Sequence, residues 1–132
     1  MISNSSLKET LRKKVLGVFS SLAEAEACVH GIMVDDVHFH EVGAIDSLVD
    51  IVGVCAAIEY LKPKEIYCMP PPSGYGEVQT SHGLLPIPVP AVMELAKRYQ
   101  VKLTGGANQP KGELTTPTGL ALKAVLADSF FQ

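Results

Sequence analysis

The chain has 132 residues, of which 47% are hydrophobic, 19% charged and 6% aromatic. That is enough for one domain with a real core, and it excludes a disordered, collagen-like or low-complexity polypeptide. Eleven basic and 14 acidic side chains give a formal net charge of −3, so no basic excess exists to bind a phosphate backbone, and nucleic acid is not an expected partner.

Three cysteines, Cys28, Cys55 and Cys68, sit in no CxxC pair. They form neither a disulfide framework nor a zinc knuckle, and a reducing, cytoplasmic setting is expected. The opening MISNSSLKETLRKK lacks the apolar region of a secretory signal. The most apolar window, Val42 to Leu61, carries Asp46, Asp50 and Glu59, which makes a membrane span costly, so no membrane association is expected. A mean hydropathy of +0.22 is nevertheless high, and implies helices buried on all sides or apolar surface that another partner covers.

In chain order, Leu7, Leu11, Val15, Phe19, Leu22 and Val29 recur at helical steps from Ser6 to about Gly31. Their spacing predicts an amphipathic helix, with Ser6 as a candidate cap and Gly31 at its end. In Val34 to Glu41, Val37 and Phe39 alternate with His38 and His40, which predicts a short extended segment with both histidines on one face. Gly43 to about Leu61 is apolar in nearly every helical direction, as expected of a central helix, and Lys62-Pro63 stops it. Glu65 to Met69 and Glu77 to Ser81 read as strands, separated by Pro70 to Pro72 and a turn at Gly74 and Gly76. Pro86, Pro88 and Pro90 force an extended approach to a helix with Val92, Leu95, Ala96 and Tyr99 on one stripe. Val101 to Leu103 reads as a short strand and Gly105 to Gly112 as a loop. Thr116-Pro117 then opens a last helix through Leu126. The expected fold class is α/β: a single compact domain, 1–132, with a small mixed sheet and about four helices around the central apolar helix.

Three groups of residues could carry chemistry. His38, His40 and Glu41, followed by Asp46 and Asp50 four apart on one helix face, are imidazole and carboxylate ligands of the kind nickel, zinc, iron or manganese accept. The competing reading is local capping and backbone hydrogen bonding. His82, in Ser81-His82-Gly83, is a loop residue that could bind a ligand or exchange a proton. No GxSxG elbow or P-loop is present. Thr115, Thr116, Thr118 and Gly119 gather hydroxyls and amides at a helix start, where an anion such as a phosphate is favoured, although Thr116-Pro117 could serve simply as a cap. The cysteines read as small core hydrophobes.

The runs HFHEVGAIDSLVDIVG (38–53), SHGLLPIPVPAV (81–92) and ELTTPTGLAL (113–122), with AEAEACVHG (23–31) upstream, resemble the LarC family of nickel-insertion proteins over residues 7 to 128. The resemblance implies a CTP-dependent cyclometallase, a nickel chelatase of the lyase class. Such a protein installs nickel into pyridinium-3,5-bisthiocarboxylic acid mononucleotide to make the nickel-pincer cofactor of lactate racemase. Nickel is then the substrate metal, and CTP acts with manganese or magnesium. It places His38, His40, Glu41, Asp46 and Asp50 in one family block, His82 in a second and Thr115 to Gly119 in a third. The leading expectation is that His38, His40 and Asp46 hold metal with Glu41 and Asp50 orienting the histidines, and that His82, Thr115, Thr116, Thr118 and Gly119 contact the pincer-nucleotide precursor. Family members are longer. Their aspartate- and glycine-rich opening and CTP-binding C-terminal part have no counterpart here, so the chain is expected to be a central fragment, inactive alone, whose partners are those missing parts. A homo-oligomer is also expected. The rival expectation is a non-catalytic assembly module in a larger metal-cofactor protein. A metal-dependent hydrolase is less favoured, because no HExxH motif occurs.

Overall fold

A computed structural model describes residues 7–37, 45–106 and 108–131. Helix α1 (Glu9–His30) is the longest, with Leu11, Val15, Val18, Leu22 and Ala25 buried along one stripe. Its C-terminus closes at Gly31, whose N–H bonds the Cys28 carbonyl. A 3-10 turn at Val34–Asp36 follows, in place of the start of the expected extended segment. The reason is local: the Asp36 and Val37 N–H groups reach back to the Met33 and Val34 carbonyls.

Helix α2 (Ile45–Leu61) ends before Pro63 as expected. Its position differs from the expectation of a central helix. Only Ile51 and Cys55 of α2 are buried, whereas α1 buries eight residues and packs against α2, α3 and α4. The central helix is α1. Glu59 of α2 accepts from Lys14 Nζ at 2.6 Å and from Thr10 Oγ1 at 2.6 Å, so α2 lies on one side of α1 and keeps a broad apolar face outward.

Among the described residues the strands are short and form three separate two-stranded ladders rather than one mixed sheet. Strand β1 (Tyr67–Cys68) pairs in parallel with β6 (Ser129–Phe130). Strand β2 (Gly74–Tyr75) pairs antiparallel with β5 (Gly112–Glu113). Strand β3 (Glu77–Thr80) forms a hairpin with β4 (Gly83–Pro86), in a segment expected only to be extended. Val101 to Leu103 forms no strand. Val101 N–H instead closes the end of α3 (Pro90–Arg98) on the Ala96 carbonyl, and Thr104 makes one isolated bridge to Pro72.

Helix α4 (Pro117–Leu126) starts as the sequence predicts: Thr116 caps it, its side chain accepting from Gly119 N–H at 3.1 Å, and Pro117 occupies the first turn. Leu120 and Ala121 of α4 and Val92 and Leu95 of α3 complete the core around Val15, Val18 and Leu22. Each fully buried Leu, Val or Ile contributes on the order of 1.5–3 kcal/mol, so this four-helix contact is what holds the short ladders in place. The α/β class, four helices and small sheets therefore stand. No described helix is long and apolar enough to cross a membrane.

Candidate functional site

The elements meet around a cleft of about 450 Å³. The last turn of α1 contributes Glu26, Val29 and His30, and the first turns of α2 contribute Ser47 and Asp50. The β3–β4 hairpin contributes Val78, Thr80, His82 and Leu85, and the segment entering α4 contributes Glu113, Thr116, Pro117 and Thr118. These positions are far apart in sequence and converge because α1, α3 and α4 share one core.

His82 stands at the hairpin turn, fixed by Thr80. The Thr80 hydroxyl donates to the Gly83 carbonyl at 2.9 Å and accepts from His82 N–H at 3.1 Å. Across from it lies His30, its ring centroid 4.7 Å from that of His82 and the planes tilted by 48°. Glu26, one turn earlier on α1, places a carboxylate oxygen 3.3 Å from His30 Nε2. A carboxylate behind an imidazole sets which ring nitrogen carries the proton and how the ring is turned.

At the α4 end the cap uses part of what an anion would need. Pro117 has no N–H and Gly119 N–H is bonded to Thr116, so Thr118 supplies the first-turn N–H and hydroxyl that the cap does not use. Thr115 is buried, and its hydroxyl donates to the Pro72 carbonyl at 2.6 Å, tying the two segments together. It does not line the cleft.

The described lining carries three carboxylates, Glu26, Asp50 and Glu113, and two imidazoles, with no lysine or arginine among them. Such a lining attracts cations and polar ligands more than a bare phosphate. Among the described residues, no three His, Cys, Asp or Glu side chains converge closely enough to hold a metal ion.

The sequence-predicted residues divide accordingly. Asp50, His82, Thr116 and Thr118 line one cleft. Asp46 is exposed on α2 one turn before Asp50 and is not part of that lining. His38, His40 and Glu41 lie outside the described residues. Sequence reasoning does not single out His30 and Glu26. The signal available is their i,i+4 spacing in the last turn of a helix, which is weak because such pairs are common on solvated helix faces.

Comparison with known proteins decides the ancestry of this fold. The profile of the family described as nickel insertion protein matches residues 1–132. The chain belongs to the nickel insertion protein family. It is 48% identical over its whole length to a protein of a Picosynechococcus species, covering 31% of that protein. It is 50% identical over 88% of its length to one from Myxococcus xanthus, covering 28%, and 48% identical over 98% of its length to one from Geobacter metallireducens, covering 32%. All three carry the name "putative nickel insertion protein". The chain thus spans about a third of the length of these curated relatives. No solved structure matches it.

Proposed function

We propose that this chain forms the part of a nickel insertion protein in which the substrate metal and an organic nucleotide precursor are brought together. In the LarC-like reading the precursor is pyridinium-3,5-bisthiocarboxylic acid mononucleotide, and the product is the nickel-pincer cofactor of lactate racemase. CTP and its manganese or magnesium ion would be bound by parts of the protein beyond this segment. The observation that carries the reading is the meeting of Asp50 and His82 with the start of α4 on one cleft, in a chain whose family handles nickel.

Nickel accepts imidazole and carboxylate donors. The segment 38–41, with His38, His40 and Glu41, precedes α2, which carries Asp46 and Asp50. These residues would receive the ion, and Glu41 or Asp50 would orient the imidazoles through hydrogen bonds. His82, with Thr116 and Thr118, would contact the precursor from the opposite wall. Forming a nickel–carbon bond releases a ring proton, so a base must stand at the reacting carbon, and the imidazoles of His30 and His82, which line the cleft beside Glu26, Asp50 and Glu113, would be the first candidates. Such a site would be cytoplasmic, where thiocarboxylates and cysteines stay reduced.

The test is a calorimetric nickel titration of the complete protein and of its His38→Ala/His40→Ala variant. The reading predicts affinity weakened by roughly tenfold or more, since even loss of a ligand's supporting partner costs that much. Unchanged affinity overturns it.

A further inference from the structure

We infer that the outward face of α2 is a homodimer interface, in which two copies of this chain cross antiparallel about Gly53. This goes beyond the nickel chemistry, and Val49 and Gly53, on which its test rests, have no part in that site.

The face is a continuous exposed stripe. Ile45, Val49, Gly53, Ala57 and Leu61 recur every fourth residue, with Val54 beside them. Ile45 is 77% exposed, Val49 62% and Leu61 69%, and Tyr60 next to them is 86% exposed. Scattered single apolar residues on a surface need no explanation, but a run of them at every fourth position of one helix, with Asp46 and Asp50 beside it, marks an interaction site. The charged residue in the C-terminal half of α2, Glu59, is turned the other way, onto Lys14 and Thr10 of α1.

Gly53 supplies the second observation. A glycine in mid-helix costs about 1 kcal/mol relative to alanine. Among the described residues nothing offsets that cost: a Cβ built at Gly53 would meet none of their atoms within 4 Å. The missing side chain therefore makes no room for any described residue, but it would let another helix approach closely.

The order of residues along the stripe selects a second copy as the occupant. An antiparallel pair centred on Gly53 sets Ile45 against Leu61 and Val49 against Ala57 of the other copy, so the bulkiest residues meet at the ends and the smallest at the crossing. The charges agree. Asp46 lies in the first turn of α2 and Lys62 directly follows its C-terminus, so opposite signs come close at both ends of an antiparallel pair and like signs in a parallel one, while Asp50 stays with the cleft it lines. Every contact then occurs twice, as an isologous interface requires. A 17-residue helix is about 25 Å long. Two such faces with their flanks would bury on the order of 1,000 Å² in total, near the lower limit for a specific dimer, so association in the micromolar range is expected.

Sedimentation velocity of the purified protein over a range of concentrations tests this. The wild type should pass from monomer to dimer, and Val49→Arg should weaken association by roughly tenfold or more, as loss of a central interface contact does, with its melting temperature unchanged at concentrations where both proteins are monomeric, because Val49 is exposed. Gly53→Cys, in a Cys28→Ser/Cys68→Ser background, should form a disulfide-linked dimer under mild oxidation, as a residue on the two-fold axis must. A wild type that stays monomeric throughout overturns the inference. So does a dimer that is indifferent to Val49→Arg, or one in which the Gly53→Cys variant fails to cross-link to its own copy, either of which would mean that α2 faces some other partner.

Discussion

Replacing Gly74 with alanine should open the wall of the cleft from behind. Gly74 sits in β2 at φ +76°, paired with Glu113 of β5. A Cβ there would lie 1.9 Å from the Gly112 carbonyl oxygen and 3.1 Å from Leu114 Cγ. The left-handed backbone alone costs an alanine about 1 kcal/mol. The oxygen it meets belongs to the main chain and cannot rotate away, so β2 must separate from β5, and each ladder hydrogen bond lost adds about 0.5–1.5 kcal/mol. The Gly74 N–H bond to Gln109 Oε1, 2.8 Å long, is strained at the same time. The sum is about 3–5 kcal/mol. Gly83→Ala is the control. Gly83 also has a positive φ, +97°, but nothing lies within 4 Å of its Cβ position, so backbone strain alone, about 1–2 kcal/mol, is expected. With about 4 °C per kcal/mol for a domain of this size, Gly74→Ala should melt at least 10 °C below the wild type and Gly83→Ala roughly 4–8 °C below it. Thermal and urea unfolding followed by circular dichroism measure both. If the two variants fall within about 1 kcal/mol of each other, the close approach of β2 and β5 is not what holds residues 113–118 in place.

Thr116→Ala removes the acceptor for Gly119 N–H and should destabilise the protein by about 1 kcal/mol, with Thr116→Ser restoring most of it; urea midpoints decide. The Lys14 and Thr10 hydrogen bonds hold the Glu59 carboxyl below its ordinary value of 4.5. A carboxyl depressed on folding stabilises above its unfolded pKa and loses that contribution as pH falls through the folded one. The wild type should therefore be more stable than Glu59→Gln at neutral pH, and the gap should close on acidification below about 4.5, as read from denaturation across pH. Burial pushes the Cys55 thiol up, so a thiol-selective reagent should modify exposed Cys28 quickly and leave Cys55 intact until the protein unfolds.

Much of the fold is legible in local pattern, and what is not has a physical reason. The steps of three or four through Leu7, Leu11, Val15, Phe19 and Leu22 announce α1, although the buried stripe runs through Val18 rather than Phe19, and Thr116-Pro117 announces α4, because both signals are confined to one helix and its cap. The sequence pattern misplaces the central position because an all-round apolar helix normally reads as buried. Composition cannot distinguish burial within the chain from an apolar face left for another surface, and α2 has such a face. Strand β4 is hidden by its closing Pro86, which sits opposite Glu77 at the end of the hairpin. The β2–β5 ladder joins Gly74 to Glu113, far apart in the chain, a pairing that no short-range rule encodes. For the cleft, the sequence picks out Asp50, His82, Thr116 and Thr118, from three separate short motifs. It misses His30, whose relevance comes only from the ring of His82 lying 4.7 Å away.

The claim that nickel is handled at this cleft can be tested by adding paramagnetic Ni²⁺ to the isotopically labelled protein and following backbone amide signals by NMR. Broadening is expected first at residues 38–41 and 46–50, which would receive the ion, and then across the cleft at His30, 79–82 and 116–119. Broadening centred instead near Cys68 and Asp128, or absent throughout, would contradict the account.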